Sequence, residues 1–151
     1  MKKVIIFDLD GTIALIDERR KLSNKENNKI DWNIFFNPKN IELDKPNIPV
    51  IKILKSLKDK GFKISILSGR LETTMNATLK WLKKYDINFD EIRLRKKTQN
   101  EKYISDIKLK ESWLMEIGIE NVLCVFDDRI KLVEMWREKG LTCLQVAEGN
   151  F

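Results

Sequence analysis

Two aspartates one residue apart follow a short apolar run near the start of the chain. Residues 4–12 read Val-Ile-Ile-Phe-Asp-Leu-Asp-Gly-Thr, which places Asp8 and Asp10 just before Gly11 and Thr12. In a β-strand the side chains of residues i and i+2 share a face, so we expect the two carboxylates to converge at the carboxyl end of a strand. Because neighbouring carboxylates repel each other, this pair requires a cation or a shared proton.

Polar residues also follow two later apolar runs. Ser68-Gly69-Arg70 follows the run at 62–67, and Asp127-Asp128 closes the run at 121–127. Lys110 lies at the start of the helical pattern that precedes this last run. Ligands of open parallel sheets bind beyond the carboxyl ends of the strands, so these groups are expected to share one rim.

The residue types on this rim favour phosphoryl chemistry with a hard cation. The chain contains no histidine, which excludes histidine-based catalytic triads and histidine-ligated metals. Carboxylate oxygens match Mg²⁺ best, and the predicted metal ligands are Asp8, Asp10, Asp127 and Asp128. A carboxylate that attacks an anionic phosphoryl group needs such a metal and a lysine to offset charge repulsion. The Ser68 hydroxyl and the Gly69 amide are candidates for holding phosphoryl oxygens.

The elements that position these groups alternate between strands and helices. Apolar runs predict strands, and helical periodicity predicts helices between them; the strands are at 3–8, 62–67, 90–94, 121–127 and 142–146, and the helices at 48–60, 73–85, 108–117 and 129–139. Such alternation implies right-handed βαβ units. The predicted fold is α/β, with a doubly wound, five-stranded parallel sheet.

The stretch at 13–47 is long for a simple connection, so we predict an irregular loop or small flap. It contains Trp32, Phe35 and Phe36. Packing of these aromatic rings against the body is the favoured role, and base stacking is the alternative. Neither this stretch nor residues 71–107 leaves room for a large cap domain.

Composition is that of one ordinary domain spanning 1–151. No apolar run approaches the ~18 residues of a membrane span, and no secretory signal is evident, so a cytoplasmic location is expected. The net charge is +6, with 29 basic and 23 acidic residues. Residues 80–110 hold ten basic and five acidic side chains, which indicates either a nucleic-acid track or an ordinary solvated face.

Taken in order, these motifs resemble those of the haloacid dehalogenase superfamily. Within it the chain resembles the 3′-phosphatase domain of bacteriophage polynucleotide kinase-phosphatases, and the likeness spans essentially the whole chain. The finer matches are Arg19-Arg20, Trp32 with Phe35-Phe36, Asp44-Lys45-Pro46-Asn47, the spacing of Asp106 to Lys110, and the closing run from Asp127 to Phe151.

The resemblance implies roles for individual residues. Asp8 would attack phosphorus to give an aspartyl-phosphate, and Asp10 would protonate the leaving oxygen and later activate water. Mg²⁺ would be held by Asp8, the Asp10 backbone carbonyl and Asp128. Asp127 would either bind the ion directly or contact the groups that bind it. Lys110 would neutralise the nucleophile and phosphate, oriented by Asp106. Arg19 and Arg70 would serve either substrate phosphate or site architecture. The predicted substrate-binding set is Thr12, Arg19, Ser68, Gly69, Arg70 and Asp106.

The implied activity is Mg²⁺-dependent removal of terminal 3′-phosphates from DNA or RNA. The same residues would serve a phosphatase of small nucleotides or sugar phosphates, and a phospho-acceptor or binding module without turnover is a further alternative. No Gly-x-x-x-x-Gly-Lys-Ser/Thr phosphate-binding segment is present, so a partner kinase or ligase is expected to be separately encoded.

Overall fold

A computed structural model describes residues 3–151, which form a five-stranded parallel sheet and a two-stranded antiparallel ribbon. The strands are β1 (Val4–Phe7), β2 (Ala14–Leu15), β3 (Lys45–Pro46), β4 (Lys63–Leu71), β5 (Glu91–Arg95), β6 (Val122–Arg129) and β7 (Cys143–Gly149). The strand order of the sheet is β5-β4-β1-β6-β7, and the ribbon pairs β2 with β3. All five predicted strands are therefore confirmed, within a few residues at their ends.

Helices connect the strands of the sheet. They are α1 (Asp17–Ser23), α2 (Trp32–Phe35), α3 (Ile48–Asp59), α4 (Met75–Lys84), α5 (Lys97–Glu101), α6 (Asp106–Ile117) and α7 (Ile130–Glu138), with 3₁₀ turns at Pro38–Leu43, Glu72–Thr74 and Ile119–Asn121. The four predicted helices correspond to α3, α4, α6 and α7. None of the helices within residues 3–151 is long and apolar enough to cross a membrane.

The sheet has a packed core on each face, because successive residues of a strand point to opposite sides. Ile5 and Phe7 of β1 belong to one core, together with apolar residues of α3 and α4. Ile6 belongs to the other core, together with apolar residues of α6 and α7. This arrangement confirms the doubly wound α/β prediction.

The stretch at 13–47, predicted as an irregular loop or small flap, contains regular secondary structure. It contains α1, α2, a 3₁₀ turn and the β2–β3 ribbon. The side chain of Asp31 caps α2, and that of Asn37 caps the 3₁₀ turn, which has Pro38 at its start. These elements are too short to show a helical period, but they are ordered against the body of the protein. Within the described residues they leave no large cap domain.

Candidate active site

The loop after β1 carries Asp8 and Asp10 to the edge of the sheet. The backbone N–H of Asp8 donates to Phe126 on β6, and Leu9 then accepts from three successive amides in a tight turn. Gly11 adopts φ +84°, and a Cβ added at this position would lie 2.1 Å from a carboxylate oxygen of Asp128. Glycine therefore serves both the turn and the close approach of Asp128.

Asp8 and Asp10 both line one cleft, but their carboxylates have different partners. Asp8 meets Lys110, Asp127 and Asp128, whereas Asp10 is held by two arginines. The two carboxylates therefore line the same cleft, as expected, but they do not share a partner. The reason is that β1 ends at Phe7, so the strand alternation does not extend to Asp10.

Asp8, Asp127 and Asp128 form a buried carboxylate cluster. Each offers an oxygen atom, and the three oxygens lie within 4.8 Å of one another. Burial raises the pKa of Asp8 well above its usual value, and Asp127 and Asp128 add to this rise against the effect of Lys110. Burial and Asp127 likewise raise the pKa of Asp128. A hard divalent cation would relieve this repulsion, so the donor set fits Mg²⁺.

Lys110 is the cation that the protein itself brings to this cluster. Its Nζ lies 2.6 Å from Asp8 Oδ1 and 3.2 Å from Asp127 Oδ2, and its side chain is buried. Burial lowers the pKa of Lys110, but Asp127 and Asp8 outweigh it and raise this pKa above its ordinary value. One ammonium facing three carboxylates leaves two negative charges, which one divalent cation would offset.

Asp127 already uses both of its oxygens within the protein. Oδ1 accepts from the backbone N–H groups of Asp128 and Arg129, and Oδ2 accepts from Lys110 and from Trp136 Nε1 at 3.0 Å. These four hydrogen bonds favour a role in positioning Lys110 and the strand end. Asp8 and Asp128 are the more available ligands for a metal.

Asp10 belongs to a second, largely buried charge network. Arg19 Nη2 lies 2.6 Å from Asp10 Oδ1 and 2.9 Å from Asp44 Oδ2. Arg70 Nη2 contacts the same two oxygens at 2.6 Å and 2.8 Å. Burial alone would raise the pKa of Asp10, but Arg70 and Arg19 outweigh it and lower the pKa to about 2. The Asp10 carboxylate is therefore ionised and fixed in orientation.

Three residues expected to bind substrate lie instead behind the site. Thr12, Arg19 and Arg70 are fully buried. Thr12 Oγ1 lies 3.2 Å from Asp8 and 3.4 Å from Asp128, while the two arginines hold Asp10. The guanidinium donors of both arginines are engaged within the protein, by Asp10, Asp44, the Phe35 carbonyl and the Thr78 hydroxyl, so of the two roles implied for the arginines the structure favours site architecture.

Ser68, Gly69 and Asp106 do line the cleft beside Asp8. Asp106, which the family resemblance implies would orient Lys110, acts on the lysine through its charge, which helps to raise the pKa of Lys110, and makes no hydrogen bond to it. Its carboxylate is held by Arg95 and Arg129, because Asp8 and Asp127 occupy the lysine. A Cβ at Gly69 would lie 2.4 Å from Asp106, so this glycine admits the carboxylate to the cleft wall.

Asp44, Arg95 and Trp136 contribute to the site without a role predicted for them from the sequence. Asp44 belongs to the run Asp44-Lys45-Pro46-Asn47 and Trp136 to the closing run from Asp127 to Phe151, and both runs carry the family resemblance. Arg95 directly follows the predicted strand at 90–94 and belongs to no such run.

The cleft has a volume of about 1240 Å³ and extends from Asp8 to two segments outside the sheet. One segment comprises α1, α2 and the loop between them, and the other is the connection from α5 to α6. The predicted packing of the aromatic rings holds for buried Phe35, but Trp32 is exposed on the cleft.

The fold and the site together define a phosphatase domain of the haloacid dehalogenase class. A predicted phosphatase from Clostridium acetobutylicum has the same fold, with a TM-score of 0.73 at 17% identity, over 99% of this chain and 86% of that one. A family model described as the polynucleotide kinase PNKP phosphatase domain matches residues 2–151. The chain belongs to this family.

Two relatives show the setting in which similar domains occur. A chain in the structure of the Pnkp1/Rnl/Hen1 RNA repair complex is 32% identical, with a TM-score of 0.78, over 99% of this chain and 44% of that one. A protein of Autographa californica nuclear polyhedrosis virus, assigned as a bifunctional polynucleotide kinase/RNA ligase, is 29% identical over 140 residues. This match covers 90% of the present chain and 18% of the viral one. The chain thus spans less than half the length of either relative.

Proposed function

We propose that this protein is a Mg²⁺-dependent polynucleotide 3′-phosphatase that removes terminal 3′-phosphates from DNA or RNA. The observation that carries the proposal is the carboxylate cluster with Lys110 at the base of a cleft, in a domain of the PNKP phosphatase family. A single domain spanning residues 1–151 would carry this activity, in the cytoplasm. The names of its relatives support a setting beside a kinase or ligase activity.

Asp8 is the nucleophile in the proposed reaction. One of its carboxylate oxygens attacks phosphorus, the bond from phosphorus to the 3′ oxygen breaks, and an aspartyl-phosphate forms. Lys110, 2.6 Å from Asp8 Oδ1, offsets the negative charge that the phosphate brings to the nucleophile. Ser68 and the Gly69 amide, on the same cleft, hold phosphoryl oxygens.

Asp10 moves the protons of both steps. In the free protein it is ionised, so it first takes up a proton, which the substrate phosphate carries in its monoanionic form, and then passes it to the 3′ oxygen. In the second step it accepts a proton from the water that attacks phosphorus. The bond from Asp8 to phosphorus then breaks, which releases inorganic phosphate and restores the free carboxylate.

Asp8 and Asp128 would hold Mg²⁺, and Asp10 would contribute its backbone carbonyl as the family resemblance implies. Asp127 would act by positioning Lys110 and the end of β6. When bound, the ion supplies charge stabilisation to the phosphoryl group.

The experiment is phosphate release from a 3′-phosphorylated oligonucleotide, with and without Mg²⁺, beside a 5′-phosphorylated oligonucleotide and a 3′-mononucleotide. We expect multiple turnovers confined to the 3′ end, lost without metal and in Asp8→Asn. Asp17→Asn is the matched control, because Asp17 is an exposed carboxylate of the same cleft outside the cluster. Equal or faster hydrolysis of the mononucleotide would refute the polynucleotide substrate, and the absence of turnover would refute the enzyme.

A further inference from the structure

Two large aromatic side chains face the cleft while remaining exposed to solvent. Trp32 is 60% exposed and Tyr103 is 94% exposed, yet both line the cleft that contains Asp8. They belong to segments more than 70 residues apart in sequence, the start of α2 and the connection from α5 to α6. Exposed rings of this size lack the burial that usually accounts for large aromatic residues.

The Trp32 ring is held in place by neighbouring rings. It stacks on Phe36 with centroids 5.7 Å apart and meets Phe35 edge-on at 5.5 Å. Phe35 is in turn buried and covered by the Arg19 guanidinium at 4.3 Å. The indole is therefore supported from the protein side and free toward the cleft, which is the arrangement of a stacking platform.

Tyr103 is presented by an unusual backbone conformation. Its φ is +52°, a value that a bulky residue rarely adopts, and its N–H donates to Asn100 in the preceding turn. Neither burial nor hydrogen bonding of the side chain accounts for a tyrosine at this position. Asparagine would tolerate the conformation better, so the ring itself is the feature to be explained.

The charges near Trp32 suit a nucleic-acid backbone. Arg20 and Lys21 of α1 line the same cleft. Lys21 is exposed, and the Arg20 guanidinium lies over the Phe151 ring at 4.5 Å. Exposed aromatic rings beside basic side chains form the combination that binds single-stranded nucleic acid, with rings contacting bases and cations contacting phosphates.

We propose that Trp32 and Tyr103 stack on unpaired bases adjacent to the 3′-phosphate, so that the enzyme takes its substrate end as a single strand. This inference rests on the proposed function. A paired base already has its faces covered by its neighbours in the duplex, and only an unstacked base can offer a face to a side chain.

The test compares Trp32→Ala and Tyr103→Ala with wild type on three substrates. These are a single-stranded 3′-phosphorylated oligonucleotide, the same oligonucleotide with its two terminal bases removed, and glycerol 2-phosphate, which has no base. We expect KM for the intact oligonucleotide to rise about 5- to 100-fold in each variant, since loss of one stacked base has effects of this order. Hydrolysis of glycerol 2-phosphate should be unchanged, and the abasic substrate should show no further loss in the variants.

Met115→Ala is the matched control, because Met115 is an exposed large apolar side chain outside the cleft. Trp32→Phe and Tyr103→Phe retain a ring and should keep most of the affinity. An unchanged KM in both alanine variants would overturn the stacking proposal and leave the 3′-phosphatase intact. Hydrolysis of glycerol 2-phosphate without hydrolysis of the oligonucleotide by wild type would instead overturn the proposed function, and the stacking proposal with it.

Fluorescence gives a second readout that does not depend on turnover. Of the four tryptophans, Trp81, Trp113 and Trp136 are buried, so Trp32 is the one exposed indole. Titration of the Asp8→Asn variant with a single-stranded 3′-phosphorylated oligonucleotide should quench this emission, and the added change Trp32→Phe should remove the quenching. Quenching that persists without Trp32 would contradict direct contact.

Discussion

Replacement of Asp44 by alanine tests whether the buried network around Asp10 is as tightly coupled as its geometry indicates. The Asp44 carboxylate is fully buried and accepts three hydrogen bonds from guanidinium groups, at 2.9 Å and 2.9 Å from Arg19 and 2.8 Å from Arg70. Its removal leaves two buried guanidinium groups facing Asp10 alone. Breaking a buried ion pair by removing one partner costs about 3–5 kcal/mol, so we expect unfolding free energy to fall by this amount.

Activity should fall as well, because the arginines that lose Asp44 are the ones that orient Asp10. A shift of about 1 Å in a catalytic group can cost roughly 100-fold in rate, so we expect kcat to fall by about 10- to 100-fold. Urea denaturation followed by fluorescence measures the stability, and single-turnover phosphate release measures the rate. Added salt should restore neither the stability nor the rate, since the buried guanidinium groups are shielded from solvent ions.

Glu42→Ala is the matched control for this experiment. Glu42 lies in the 3₁₀ turn just before Asp44, and it pairs with Lys80 at 3.6 Å through side chains that are both exposed. Loss of such a surface pair should change stability by less than about 1 kcal/mol. If Asp44→Ala is as stable as Glu42→Ala, the buried network does not stabilise the protein and its proposed hold on Asp10 is wrong.

Further predictions concern the metal, the pH response and single side chains. Chelation with EDTA should abolish phosphate release and added Mg²⁺ should restore it, whereas full activity in EDTA would exclude a metal requirement. The pKa of Asp10 is lowered from 3.8 to about 2, so its ionised form stabilises the fold above about pH 4, and this contribution of about 2 kcal/mol is lost as pH falls toward 2. Acid titration of unfolding free energy should therefore be shallower for Asp10→Asn; equal slopes would contradict the assignment. Burial raises the pKa of Cys143 to about 12, so this thiol should react with Ellman's reagent only after unfolding. Trp136→Phe removes one hydrogen bond to Asp127 and should lower kcat with little change in KM, as steady-state kinetics can show.

The predictable part of the fold is the part with strong periodicity. Strands of a parallel sheet are buried on both faces and read as apolar runs, and the longer helices show a clear apolar stripe. The segment at 13–47 carries neither signal. Its helices are short, and they are held by side-chain caps and by Arg19, whose buried partners lie elsewhere in the sequence.

The site was predictable where a motif places a side chain directly at a strand end, as for Asp8 and Asp128. The site was not predictable where a side chain pairs with a residue that is distant in sequence. Arg19 and Arg70 are charged residues that would usually be exposed, and only the structure shows Asp44 between them. The hydrogen-bond partners of Asp106 were not predictable for the same reason, because its four-residue spacing to Lys110 does not reveal Arg95 and Arg129.

Under the proposed function, a cation held by the carboxylate cluster would couple its binding to folding. Asp8 and Asp128 are separated by 119 other residues in sequence and meet only in the folded chain, so an unfolded chain offers a cation no comparable site. A ligand that binds only the folded state stabilises it, by about 2.7 kcal/mol at a concentration 100 times its Kd. The melting temperature should then rise with Mg²⁺ concentration in proportion to the logarithm of one plus the ratio of that concentration to Kd. The dependence would report the affinity of the site in the absence of any substrate, so ion availability would affect the stability of the protein as well as its rate.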